Sequence, residues 1–363
     1  MSTLKSLRTV ARASMLAGLL AGAMGAQASA VNGRSIEALI TSGALPDTPA
    51  ARVDPNTAAS PFSGVVSINI VSAAGSFICS GALVDQYHVV SAGHCVDDDG
   101  LGHVIDLKKP GNSVRVIFNA SSVVGDPGRA VIAANRVDIN PGYQGFGNCP
   151  AGVPGFCVND DVAVIQLSAP APAAAKTYKL YGSAVGEGTV FTMVGYGTSG
   201  DGWNGYTVSP AFRVKRSGKN VYDFTETDDE AHFAAGSARE VWYADFDGTA
   251  PDGTVIDTFC DPSVLGVARC GVSLGNAIES NIGGGDSGGP SFVLVGDEYQ
   301  LVANNTFGFS MGISPRGGFG DGMGGILLDP YRSWIRSTVP EPDSLALLAF
   351  GLAGLAVARR RRK

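Results

Sequence analysis

Gly285-Asp286-Ser287-Gly288-Gly289-Pro290 sets a single hydroxyl in a run of glycines. Glycine lacks a Cβ, so it reaches positive φ and lets main-chain N–H groups converge on one point. Converging donors are what a tetrahedral oxyanion needs, and losing one costs about 10²–10³ in rate. A serine hydroxyl is a weak nucleophile alone, so a base must come from elsewhere in the chain. There are four histidines: His88, His94, His103 and His232. His94 follows Val89-Val90 within Ser91-Ala92-Gly93-His94-Cys95. That context predicts a buried strand ending in a short turn that holds the ring at a cleft. A third group has to fix the imidazole tautomer and stabilise the imidazolium. Asp161 suits that role, because the apolar run Val162-Ala163-Val164-Ile165-Gln166-Leu167 follows it and reads as a buried strand. Asp160 is its neighbour, but successive strand residues face opposite sides, so only one of the two can face His94.

The order His94, Asp161, Ser287, set in Ala-Gly-His-Cys, Asp-Val-Ala-Val and Gly-Asp-Ser-Gly-Gly-Pro, resembles the chymotrypsin/trypsin family of serine proteases. The resemblance spans residues 53–338. It implies Ser287 as nucleophile, His94 as general acid/base, Asp161 as orienting carboxylate, and the N–H groups of Gly285 and Ser287 as the oxyanion hole. Secondary matches follow in the family's order. Residues 77–84 resemble the strand before the histidine, Met193-Val194-Gly195-Tyr196-Gly197 the Gly-aromatic-Gly strand, and Thr306-Phe307-Gly308 the segment that pairs with substrate backbone. Tyr331-Arg332-Ser333-Trp334-Ile335 resembles the closing helix. Asn281, six residues before Ser287, falls where the family places the base of the side-chain pocket. An amide there gives Arg or Lys substrates no buried carboxylate to pair with, so strict basic specificity is not expected.

The fold class expected is all-β. Short β-branched runs at residues 65–71, 114–118, 131–134, 162–167, 190–194, 292–295 and 301–303 alternate with Gly/Pro/Asn/Asp turns, which suggests a barrel or sandwich. The resemblance sharpens this to two six-stranded antiparallel β-barrels with the site between them and a short C-terminal helix. Six cysteines in an exported chain suggest three bridges. With the resemblance as guide, Cys79–Cys95, Cys149–Cys157 and Cys260–Cys270 are favoured. No Cys-x-x-Cys or Cys/His cluster supports a metal site, and no cofactor is expected. The family also implies activation by a cut that frees an apolar N-terminus to pair with the Asp before the nucleophile, here Asp286. Arg52-Val53 is the junction expected, although Val53-Asp54-Pro55-Asn56 departs from the family's usual start.

Both ends read as targeting sequence. Lys5, Arg8 and Arg12 precede a short apolar stretch and Ala28-Ser29-Ala30, the layout of a signal peptide (residues 1–30) cut by signal peptidase. Residues 31–52 read as a linker or pro-segment. Residues 339–363 combine Val339-Pro340-Glu341-Pro342, an apolar segment and Arg359-Arg360-Arg361-Arg362-Lys363. This resembles the PEP-CTERM sorting signals of Gram-negative bacteria, which implies processing by an exosortase-type enzyme after transient inner-membrane insertion. The expected destination is the cell surface or extracellular matrix. Of 26 basic and 33 acidic residues, eight basic and two acidic lie in these ends. Residues 31–339 are left with 18 and 31, a net charge near −13 that argues against nucleic-acid binding.

The acidic run Thr225-Glu226-Thr227-Asp228-Asp229-Glu230, the stretch Asp245-Phe246-Asp247-Gly248 and Asp97-Asp98-Asp99 are read as solvated loops rather than calcium loops. Two functions compete. One is an exported endopeptidase acting on protein or peptide substrates. The other is a catalytically silent surface or matrix protein on the same fold. The complete triad favours the first, and the absence of a Gly-x-Ser-x-Gly elbow disfavours an α/β-hydrolase.

Overall fold

The computed structural model describes residues 40–339. The expected signal peptide, most of the expected linker and the sorting tail beyond Val339 lie outside the described residues. Among the described residues no helix is long and apolar enough to cross a membrane.

The first half is a closed six-stranded barrel of β1 (Val65–Ser72), β2 (Gly75–Leu83), β3 (His88–Ser91), β4 (Ser113–Ile117), β5 (Val131–Ile139) and β6 (Ala163–Leu167). Around the ring they run β1-β2-β3-β6-β5-β4, every pair antiparallel. Alternation decides what fills it. Val66, Ile68 and Ile70 of β1, Val114 and Val116 of β4, and Ala163, Ile165 and Leu167 of β6 share one interior cluster. The intervening Val65, Val162 and Val164 face outward, yet they too are buried, in a second cluster with Val194, Tyr196, Phe292, Phe307 and Ile335 from the other half. This explains why residues 162–167 are apolar almost without interruption: one face fills the barrel and the other fills the seam between halves.

The second half holds β7 (Val190–Gly195), β8 (Ser199–Asp201), β9 (Gly205–Val208), β10 (Arg216–Val221), β11 (Phe224–Thr227), β12 (Arg239–Asp245), β13 (Gly248–Thr249), β14 (Val255–Ile256), β15 (Pro290–Val295), β16 (Glu298–Asn304), β17 (Phe307–Phe309) and β18 (Gly322–Ile326). The expected second closed ring is corrected here. The strands form two four-stranded sheets, β10-β7-β15-β16 and β11-β12-β18-β17, with β8-β9 and β13-β14 as separate hairpins. An isolated Ala303–Leu327 bridge joins the two sheets at one place. The ladder is interrupted by a register shift between Ser291 and Phe292. Two short helices complete the described chain, α1 (Pro262–Leu265) and α2 (Arg332–Thr338), the latter inserting Ile335 into the seam.

Candidate active site

The site is assembled at the seam, from the ends of β3 and β6 and the loop before β15. The chain leaves β3 through Ala92 and Gly93, and the Gly93 position is tight. A Cβ there would lie 3.1 Å from Asp161 Oδ1 and 3.3 Å from Ile139 and Tyr143 side-chain atoms. Glycine therefore lets the carboxylate approach the histidine loop. Asp161 is fully buried, and each oxygen has its own partner: His94 N–H donates to Oδ1 at 2.6 Å, and His94 Nδ1 lies 2.6 Å from Oδ2. Two contacts at that length fix both the loop and the ring. The His94 side chain retains 23% exposure and packs against Phe146, with ring centroids 5.3 Å apart. Burial, and next the Asp161 charge, pushes the Tyr143 phenol far above its ordinary range. Asp160 lies in the turn before β6 and is carried away from His94 by a positive φ of 60°.

The Ser287 loop is held from both sides. Ser80 N–H donates to Ser287 O at 2.8 Å, Ser80 Oγ donates to Gly285 O at 2.8 Å, and Tyr196 N–H donates to Ser80 Oγ at 3.0 Å. The loop lies directly on the histidine loop. Ser287 O is 3.6 Å from Cys95 Sγ, and a Cβ on Gly288 would stand 2.1 Å from Ser91 Oγ and 2.6 Å from Ala92 N. Gly285 and Gly288 both use positive φ, 92° and 75°. Within the loop, the N–H groups of Asp286, Gly288 and Gly289 donate to Gly283 O, Asn305 O and Asp286 O. Those of Gly285 and Ser287 meet no acceptor among the described residues. Two free N–H groups flanking one hydroxyl form a donor pair for an anionic oxygen.

Disulfides join Cys79 to Cys95, Cys149 to Cys157 and Cys260 to Cys270. The first ties the histidine loop to β2, and closing a loop of that size removes roughly 3 kcal/mol of unfolded-chain entropy. It also accounts for both sulfurs beside His94, so that group is not a metal ligand set.

Asn281 is buried, with its Oδ1 lacking a partner. The substrate-strand residues lie together: Phe307 and Gly308 in β17, and Thr306 donating its hydroxyl to Asn304 Oδ1 at 3.1 Å. Around Gly308 a Cβ would meet only Gly322 O, Ile282 O and Tyr206 Oη, at 3.6–3.9 Å. Tyr206 donates to Ile282 O at 2.9 Å, and Met323 stands opposite Gly308 across β17 and β18. Tyr206, Ile282 and Met323 carry no motif, and the sequence reading passes over them. Ser80 is also missed, since a serine inside a β-strand run gives no sign of its distant partners.

The activation residues are not brought together. Arg52 forms an ion pair with Asp47 at 2.5 Å and donates to Ile278 O, while Val53 bridges Arg216. The Asp286 carboxylate instead accepts from Gly197 N–H at 3.0 Å and Gly283 N–H at 3.2 Å. Burial raises Asp286 well above the usual carboxylate range, against those two bonds and the Arg216 charge. A different segment is buried against Asn281 and Asp201. Ile40, Thr41 and Ser42 are fully buried, with Thr41 bridging Asn281 and Ser42 bridging Asp201.

The trypsin family profile matches residues 53–228, and the PEP-CTERM protein-sorting motif matches residues 338–362. No curated protein matches the sequence. Among solved structures, a thermostable serine protease AL20 from an extremophilic microorganism is similar at 15% identity and a TM-score of 0.42, covering 73% of this chain and 91% of that one. The two profile matches show a trypsin-like serine protease domain, matched over residues 53–228, and a C-terminal PEP-CTERM sorting motif at residues 338–362.

Proposed function

We propose that the chain is an exported serine endopeptidase acting through Ser287, His94 and Asp161. As Ser287 Oγ attacks a peptide carbonyl, His94 Nε2 takes its proton, and Asp161 stabilises the imidazolium through Nδ1. The oxyanion receives the N–H groups of Gly285 and Ser287, each contributing about 10²–10³ in rate. His94 then delivers the proton to the departing amine, leaving an acyl group on Ser287. Water, deprotonated by the same imidazole, releases the acid. The observation that carries the reading is the doubly bonded, fully buried Asp161 on His94. A catalytically silent protein has no need of a buried carboxylate aligned on a partly exposed ring.

Asn281 supports cleavage that is not confined to Arg and Lys, because the pocket floor offers an amide and no charge. A peptide library cleaved predominantly after Arg or Lys would contradict this. The body proposed for the enzyme is residues 53–338, against which residues 40–42 are also buried. The sorting motif supports export, exosortase processing and delivery to the surface of a Gram-negative cell. Anchoring in the inner membrane by the C-terminal segment is the transient step of that route. The decisive experiment is fluorophosphonate labelling of purified wild-type protein beside Ser287→Ala. Labelling confined to the wild type is expected, and an unlabelled, correctly processed wild type overturns the enzymatic reading.

A further inference from the structure

Directly behind the catalytic aspartate, four carboxylates converge. One oxygen each from Asp160, Asp229, Glu230 and Glu240 lies within 4.8 Å of all the others. Asp160, Asp229 and Glu240 are only 7%, 4% and 6% exposed, while Glu230 opens to solvent. Among the described residues no Lys, Arg or His forms an ion pair with any of the four. The Oδ1 of Asp229 is buried inside this group and has no hydrogen-bond partner. Beside it, Asn159 donates its amide to Glu240 Oε2 at 2.8 Å and to Thr227 O at 3.2 Å, which leaves its own Oδ1 buried and unpartnered. Asp160 reaches the group with its backbone at φ 60°, a conformation a non-glycine residue adopts at a cost. A Cβ on Gly142 would lie 2.6 Å from the Asp160 Cγ, so glycine there makes room for this carboxyl.

Negative groups packed this closely must either hold protons or share a cation. We propose that Asp160, Asp229, Glu230 and Glu240, with Asn159 beside them, form a calcium-binding site. The donors are all hard oxygens, with no nitrogen or thiolate of the kind zinc or copper selects. Calcium takes oxygens at about 2.3–2.6 Å, so ligands on opposite sides of one ion stand at most about 5 Å apart, which the cluster meets. Magnesium is disfavoured, since it demands a near-ideal octahedron at about 2.0–2.1 Å. The orphaned Asp229 oxygen gains a partner, and exposed Glu230 marks the entry path. The acidic run around Asp229, taken from the sequence as a solvated loop, is corrected accordingly: Asp229 is buried and faces inward.

The ligands come from two places, the turn leading into β6 and the segment between β11 and β12 with the start of β12. One ion therefore cross-links the two halves of the molecule, one residue from Asp161. Calcium binding itself does not rest on the proteolytic reading; only its consequence for Asp161 does.

The test uses the full-length processed protein carrying Ser287→Ala to prevent autolysis, stripped with chelator. Calorimetric titration with CaCl2 at neutral pH and melting curves with and without the metal are recorded. Saturable binding and a rise in Tm of several degrees are expected, with a much smaller response to MgCl2 at equal concentration. Adding Asp229→Asn is expected to weaken binding at least tenfold. Glu230→Gln, at the exposed position where folding is not at stake, is expected to weaken it several-fold. Asp247→Asn, in a separate acidic group, is expected to leave this affinity unchanged. Absence of heat and of any Tm shift at millimolar calcium overturns the proposal, as does parental affinity in both Asp229→Asn and Glu230→Gln. Because these measurements need no catalysis, their failure is separable from a failure of fluorophosphonate labelling in the wild type.

Discussion

Replacing Asp161 by Asn changes one atom and, by the geometry of this site, moves one proton. The carboxylate serves two partners, His94 N–H through Oδ1 and His94 Nδ1 through Oδ2, both at 2.6 Å. An amide keeps only one oxygen. Left on the backbone N–H, it turns its NH2 toward Nδ1, which must then present a lone pair and push the ring proton to Nε2. Flipped, it sets NH2 against N–H, donor to donor, in a site with no exposure, at about 1–3 kcal/mol for the unsatisfied groups. The first arrangement wins, and Nε2 then has no lone pair to receive the Ser287 proton. In serine-protease triads the corresponding loss is about 10⁴ in kcat, or roughly 5.4 kcal/mol in the barrier. The assay is kcat on a peptide ester together with the rate of fluorophosphonate labelling, with the melting curve as a check on folding. A variant that melts within a few degrees of the parent and labels within tenfold of its rate refutes the role assigned to Asp161.

Ser80→Ala removes a hydroxyl that bridges Gly285 O and Tyr196 N–H, stranding two buried backbone groups at a cost of about 2–4 kcal/mol. A Tm lower by roughly 5–10 °C is expected. With the Gly285 carbonyl released, kcat should fall about tenfold or more while KM changes little; unchanged kcat would detach Ser80 from the oxyanion loop. Burial above all lifts Asp160 and Asp229 to about 8 and Glu240 to about 7. The folded state therefore binds more protons than the unfolded state between about pH 4 and 8, so stability in chelator should decline as pH rises through that window. Calcium should flatten the decline, and melting curves across pH that are flat without metal would contradict the burial of these groups. Mass mapping of the mature N-terminus is expected to find a chain that still contains Thr41 and Ser42, whose buried backbone bridges Asn281 and Asp201, rather than one beginning at Val53, whose neighbour Arg52 is tied to Asp47. A mature chain beginning at Val53 would restore the earlier expectation.

Two kinds of information separate what the sequence made legible from what it did not. The first barrel could be read because its strands alternate, and residues 162–167 because both their faces are covered by apolar partners. The buried contact of Asp161 with His94 could be anticipated because the chemistry expected of such a pair demands particular neighbours within a few residues. The strand β18 could not, because its sequence Gly-Met-Gly-Gly-Ile has the composition of a loop. Its glycines answer to partners elsewhere: a Cβ on Gly322 would stand 2.2 Å from the Phe309 ring, and one on Gly324 would stand 2.3 Å from the Phe307 ring. Those aromatic residues sit directly opposite in β17, so the strand is glycine-rich to admit them.

The same limit governs the charges. A run such as Asp228-Asp229-Glu230 reads as solvated because isolated carboxylates prefer water, and a sequence does not display the burial that overrides this preference. Strand alternation does not reach across that gap, because Asp160 precedes β6 and adopts a positive φ. With Asp161 set against His94, the left-handed turn at Asp160 carries its carboxyl to the opposite side. That side is the convergence of Asp229, Glu230 and Glu240. Two adjacent aspartates thereby divide their work, one set against the imidazole and the other held in a group that needs a cation or protons. Any change in the occupancy of that group acts on the backbone that carries Asp161, so stability and catalysis should share a dependence on calcium rather than vary independently.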